Sequence, residues 1–420
     1  METVVELPYG KTSLTVRIPS ANLSQILLAP QEKGLEDEAA AITAALRSPT
    51  GCPPLLDMVQ RNDRAVVIVT DNTRPCPDDR LLPPILTELE QKIPRGNITI
   101  IIALGLHPPL DREAMIQKLG QDIVDNYLVL NHDVNDVVNI GTSKMGTPVE
   151  INRKVIEADF RISTGFIEPH FFAGFSGGRK SIAPGVFSVR AAYHNHGYNM
   201  IEHPCARAGI LAGNPVHEDM VEQAKMAKLN FIVNVLLNKK REITHVVAGE
   251  MVAAHEKGCA MERQAAAAMI KHKVDITITT NSGAPLDLDL YQSCKGIDTA
   301  AQITRDGGII IAASSCSTGI GPEAFRTLHA SVKSPKEVLQ KIRRQQPIGV
   351  QWENQVLARV QLRNDIYLVS SLDDTAVKDM MITPVASIEE GLERAFRVLG
   401  KDASIAVIPE GPMVLPLLDS

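Results

Sequence analysis

The chain has 420 residues, 44% hydrophobic and 22% charged, with a formal net charge of −6. Its basic residues are scattered, which gives no electrostatic footprint for nucleic acid or an anionic membrane. No apolar run reaches the ~18 residues of a membrane span, and "METVVELPYG" lacks the basic start and apolar run of a signal peptide, so a cytoplasmic protein is expected. The six cysteines (Cys52, Cys76, Cys205, Cys259, Cys294, Cys316) are far apart and form no CxxC pair. A zinc framework or disulfide scaffold is not expected, and the thiols read as reduced packing residues.

This length exceeds one ordinary core, so more than one domain is expected. In chain order, "AVVIVT" (65–70), "ITIIIAL" (98–104), "DFRIST" (159–164) and "FIVNVLL" (231–237) are short, nearly continuous apolar runs. Such runs suit strands covered on both faces. "DITITT" (275–280), "GIIIAAS" (308–314), "IYLVSS" (366–371) and "SIAVIP" (404–409) repeat the pattern. "LLPPILTELEQKI" and "AAHEKGCAMERQAAAAMIKHK" read as helices between them, the second bridging two units near Lys273. The alternation predicts α/β architecture: two α/β domains with mainly parallel sheets, residues 1–272 and 273–420, with the active site in the interdomain cleft. The Pro-rich last residues are free in this reading to pack back on either domain.

Polar segments follow five of these strands: "TDNTRPCPDD", "GLHPPL", "GFIEPHFFAG", "NSGAPLDLDLYQSCKG" and "SCSTGIG". In open parallel sheets, ligands bind at the carboxyl ends of the strands, where loops converge and helix N-termini face anions. The segment "HFFAGFSGGRKSIAPG" (170–185) invites comparison with a phosphate loop, G-x-x-x-x-G-K-[ST]. Gly174, Lys180 and Ser181 fit that pattern, but Arg179 stands where the second glycine is required. A Cβ there obstructs the turn that wraps phosphates. His132, His245, His255, His272 and His329 read as structural histidines, whereas His107, His170, His194 and His196 follow strands or glycine-rich turns. In a helix, His194 and His196 diverge by ~200°, so one of them at most points into a site.

Together, "DNTRP" (71–75), "GLH" (105–107), "GFIEPHFFAGFSGGRKSIAPG" (165–185), "NHG" (195–197), "GNPVHED" (213–219) and "YQSCKG" (291–296) resemble the lactate racemase family over nearly the whole chain. The resemblance implies a racemase or epimerase that inverts C2 of a 2-hydroxy acid. Inversion there proceeds by reversible hydride transfer through a 2-keto acid, on a nickel-pincer nucleotide bound covalently to the protein. By resemblance, Lys180 is the covalent attachment point, His196 the metal ligand, and His107 and His170 the pair of acid/bases. Arg74 and Lys295 correspond to cations around the substrate carboxylate, and Asp71, Tyr291 and Gln292 to polar residues of the same site. Gly177 and Gly178 read as room for the nucleotide against the backbone. The cofactor-synthesis enzymes become implied partners, alongside a small-molecule substrate.

The residue types suit that chemistry. Histidine exchanges protons near neutrality, a guanidinium grips a carboxylate in bidentate fashion, and neutral imidazole suits a borderline metal. Without the resemblance, Arg74 reads equally as a loop arginine paired with Asp78 or Asp79, Gln292 as a helix cap and Lys295 as a solvated surface residue. The alternative functions are a nucleotide-binding phosphotransferase or hydrolase, or a non-catalytic cofactor carrier. Pro108 and Pro109 follow His107 where the family more often has a basic residue, so the pocket wall differs there.

Overall fold

A computed structural model of the chain describes residues 1–418. It divides into two units, Gln31–Ala265 and a second formed by Met1–Pro30 with Ala266–Ser420. Both are α/β layers built on mainly parallel six-stranded sheets.

In the unit Gln31–Ala265 the strand order is Ile243–Gly249, Phe231–Leu237, Phe160–Phe166, Ala65–Thr70, Ile98–Ala103, Leu128–Asn131. Every pair is parallel except the edge strand Ile243–Gly249. The inner strands are buried on both faces, which is why their sequences read as unbroken β-branched runs rather than alternating ones. Val67, Ile100, Ile162 and Val233 are fully buried and share a core with Leu81, Leu82 and Ile85 of the helix Asp78–Glu90.

In the other unit the order is Thr383–Pro384, Asp365–Val369, Thr304–Ala313, Val274–Thr280, Ile405–Ile408, Leu23–Ile26, all parallel. The strand Leu23–Ile26 therefore belongs to a sheet whose other strands lie after residue 265. The hairpin Glu2–Tyr9/Thr12–Pro19 turns Val5, Leu7, Val16 and Ile18 inward onto Ile278 and Ile311 of this core.

The helix expected to reach Lys273 ends at Ala265. Ala267–Ile270 is instead a strand, paired in parallel with Leu415–Leu418, so the Pro-rich end packs within its own unit. The helix preference of alanine is only tenths of a kcal/mol per residue. A ladder that also buries Ala268 and Ile270 outweighs it. Among the described residues, no helix is long and apolar enough to cross a membrane.

Candidate active site

The strands Phe160–Phe166, Ala65–Thr70 and Ile98–Ala103 are neighbours running the same way, so the loops that follow them leave one sheet edge together. In chain order, the first loop, after Ala65–Thr70, brings Asp71, and the second, after Ile98–Ala103, brings His107. His107 Nδ1 lies 2.5 Å from Asp71 Oδ2, with the carboxylate side chain 4% exposed and the imidazole 46% exposed. Burial pushes the Asp71 carboxyl upward, but the hydrogen bond with His107 and the nearby Arg74 charge outweigh it, leaving the group below its usual range. An ionised Asp71 accepts from Nδ1–H, which sets the lone pair of neutral His107 on Nε2. Thr73 Oγ1 donates to the other carboxylate oxygen at 2.8 Å, and Arg74 Nη1 reaches Thr73 Oγ1 at 3.3 Å.

The sequence leaves Arg74 open to a structural pairing with Asp78 or Asp79. Asp78 pairs instead with Lys118 at 2.9 Å, with both side chains buried. It also accepts from Thr70 Oγ1 at 2.7 Å and Thr164 Oγ1 at 2.5 Å. Lys118 Nζ donates further to the carbonyls of Cys76 (2.7 Å) and Arg74 (3.3 Å), tying down the backbone that presents Arg74.

The third loop carries His170 and Lys180, and Phe172 joins them. The buried Phe172 ring meets His170 edge-on with centroids 4.6 Å apart, lies 5.9 Å from Lys180 Nζ, and meets His196 at 5.0 Å. His170 Nδ1 accepts from the Ala173 amide at 3.3 Å, a long and weak bond.

Lys180 sits in a short 3₁₀ turn, Gly178–Ser181, and Arg179 beside it is fully buried. Its guanidinium donates to the carbonyls of Ala173 (2.7 Å) and Gly177 (3.2 Å) and lies 3.0 Å from His255 Nε2. The residue that spoils the phosphate-loop pattern thus binds the loop to itself.

Gly177 and Gly178 have a reason other than room for a ligand. A Cβ on Gly177 would come within 2.7 Å of Asn234 Oδ1, and one on Gly178 within 2.6 Å of the His255 ring. The Gly178 amide donates to Asn234 Oδ1 at 2.7 Å. Both glycines have positive φ, so they let the loop close onto the protein.

His194 and His196 diverge. His194 is exposed and shares a 2.8 Å hydrogen bond with Thr147 Oγ1, whereas His196 is buried beside Phe172. Burial, reinforced by the Lys180 charge, pushes the His196 pKa down to about 3, so its imidazole is neutral. His196 Nδ1 is 2.9 Å from Asn195 Oδ1.

In the second unit, Tyr291, Gln292 and Lys295 lie in the first turns of the helix Leu290–Ile303, where Asp289 caps the Gln292 amide at 2.7 Å. Tyr291 and Lys295, four apart, share one helix face. Tyr291 Oη accepts from Trp352 Nε1 at 3.2 Å.

Sequence reasoning did not single out Phe172, Asn195, Asn234 or Asp219. All four lie within or beside quoted motifs or strands, but only packing shows what they touch.

Two family models match the chain: the lactate racemase N-terminal domain over residues 9–209 and the lactate racemase C-terminal domain over residues 269–415. The chain is 39% identical to a lactate racemase of Thermoanaerobacterium thermosaccharolyticum, covering 98% of each. It is 36% identical to one of Lactiplantibacillus plantarum, covering 97% of this chain and 98% of that one. The apoprotein structure of a lactate racemase from T. thermosaccharolyticum superposes with a TM-score of 0.95 at 38% identity, over 99% of this chain and all of the other. A Thermotoga maritima protein shares the fold at 17% identity, with a TM-score of 0.70 over 93% of this chain and all of its own. The chain belongs to the lactate racemase family of isomerases.

Proposed function

We propose that the protein racemises a 2-hydroxy acid, with lactate the first substrate to examine, using a nickel-pincer nucleotide attached to Lys180. The reading places it in the cytoplasm beside the enzymes that build that nucleotide. The observation that carries it is the gathering of His170, Lys180 and His196 around the Phe172 ring.

The residues fit the group. A metal held mostly by cofactor sulfurs asks the chain for one further ligand, and a neutral, buried His196 is a donor of the kind nickel takes. Among the described residues no three His, Cys, Asp or Glu side chains gather at a common metal position, so the cofactor itself would have to supply the remaining ligands. When bound, the cofactor supplies a hydride acceptor, which makes C2 of the substrate a planar ketone carbon that can be reduced from either face.

The chain's own residues do the rest. Arg74 grips the substrate carboxylate with its planar fork. His107 takes the hydroxyl proton on Nε2, and Asp71 stabilises the imidazolium that forms. The hydroxyl of the opposite enantiomer points elsewhere and needs a second base, the role given to His170. The Phe172 ring gives the Lys180 amine an apolar neighbour that the uncharged, acylated nitrogen would also suit.

The test is to produce the protein together with the cofactor-synthesis enzymes. The peptide containing Lys180 is then weighed, and D- and L-2-hydroxy acids are screened for loss of optical purity. A mass addition on Lys180 and racemisation that vanishes in Lys180→Ala are expected; full activity in that variant would end the reading.

A further inference from the structure

The motif "GNPVHED" has no part in the chemistry above. Asn214 caps the helix Pro215–Met226 through its side chain, and one turn on, Asp219 is fully buried. Asp219 Oδ2 accepts from Thr147 Oγ1 (2.8 Å), Gln223 Nε2 (2.8 Å) and Asn195 Nδ2 (2.7 Å), while Oδ1 accepts from Ser143 Oγ. Four donors from three separate elements converge on one carboxylate.

Asn195 relays this to its neighbour. Its amide nitrogen faces Asp219 Oδ2 and the Val216 carbonyl (3.3 Å), and its oxygen faces His196 Nδ1 at 2.9 Å. The opposite amide orientation would set its oxygen against two acceptors, so the carboxylate fixes which end points at the histidine. An amide oxygen can only accept, so Nδ1 of His196 carries the proton and Nε2 the lone pair.

We infer that Asn195 and Asp219 are positioning residues that hold His196 in the Nδ1–H tautomer required for metal ligation through Nε2. The inference rests on the reading of His196 as the metal ligand. Ligating histidines commonly donate their other ring N–H to a partner, and removing that partner typically costs 10–100-fold in metal affinity.

Two measurements test it. The first needs no cofactor: long-range ¹H–¹⁵N spectra of the imidazoles in the wild-type protein, with His196→Gln assigning the resonance. A protonated Nδ1 is expected, and a protonated Nε2 overturns the inference. The second compares nickel per chain and the Lys180 adduct after chelator dialysis, in wild type and Asn195→Ala, both made beside the cofactor-synthesis enzymes. The variant is expected to keep the adduct while retaining nickel at least ~10-fold less well. Equal retention overturns the inference. Should Asn195→Ala fail to fold, the imidazole spectrum of the wild type decides. A wild-type protein lacking the Lys180 adduct would refute the proposed function instead, a result distinct from either outcome above.

Discussion

A carboxylate that is 4% exposed, set against an imidazole that is 46% exposed, divides the work between Asp71 and His107. In the proposed mechanism the buried partner orients and the exposed one reacts. Asp71→Asn keeps the shape but removes the charge that stabilises a protonated His107. We expect kcat for racemisation to fall by about 10² or more with KM nearly unchanged, as when a histidine base loses its orienting carboxylate. Steady-state kinetics in both directions check this, and an unchanged kcat would remove Asp71 from the mechanism. Both residues were legible as motif members, "DNTRP" and "GLH". Their pairing was not, because it depends on two strands 33 residues apart lying side by side (Ala65↔Ile98). Arg179 shows the converse: the sequence marked it as an exception, and only its burial against the carbonyls of Ala173 and Gly177 explains it.

Among the elements, the parallel strands were readable because burial on both faces leaves only apolar residues to choose from. The Ala-rich stretch before Lys273 is helical as far as Ala265, but its end, Ala267–Ile270, is a strand, because local preference is a weak force against pairing with residues 415–418. Gly177 and Gly178 read in the sequence as room for a nucleotide, and the structure adds a packing reason for both, since an added Cβ would meet Asn234 or His255. A distinct consequence follows for stability. Gly178 has φ of +54°, and an added Cβ would sit 2.6 Å from the His255 ring. Gly178→Ala combines a left-handed backbone with overpacking, and a loss of about 3 kcal/mol is expected from the urea midpoint. A loss below about 0.5 kcal/mol would mean the turn relaxes freely.

For the whole molecule, the first thirty residues joining a unit otherwise made from residues beyond 265, with Leu23–Ile26 entering its sheet, could not be read from local pattern, since strand order is a long-range property. Buried histidines give a global expectation. Burial holds His132 below its usual pKa, and burial together with the Arg179 charge holds His217 at about 3 and His255 well below the usual range. In the other unit, burial holds His329 at about 4. The unfolded chain takes up protons near pH 6.5 while these folded sites do not. Their stabilising contribution is therefore full above pH ~6.5 and is lost as pH falls toward the folded values, by at most ~1.4 kcal/mol per histidine per pH unit. Urea midpoints at pH 7.5 and 5.5 should differ accordingly, with the acidic one lower. Equal midpoints would contradict neutral burial of these rings.

The most direct test of the central claim follows the fate of the C2 hydrogen. Enantiopure lactate deuterated at C2 is incubated in ordinary water with the cofactor-loaded protein, and both optical purity and deuterium content are measured. Racemisation with deuterium retained is the predicted result, since the hydrogen leaves and returns as a hydride without exchanging with water. Racemisation with deuterium washed out would mean proton abstraction at C2 and contradict the account.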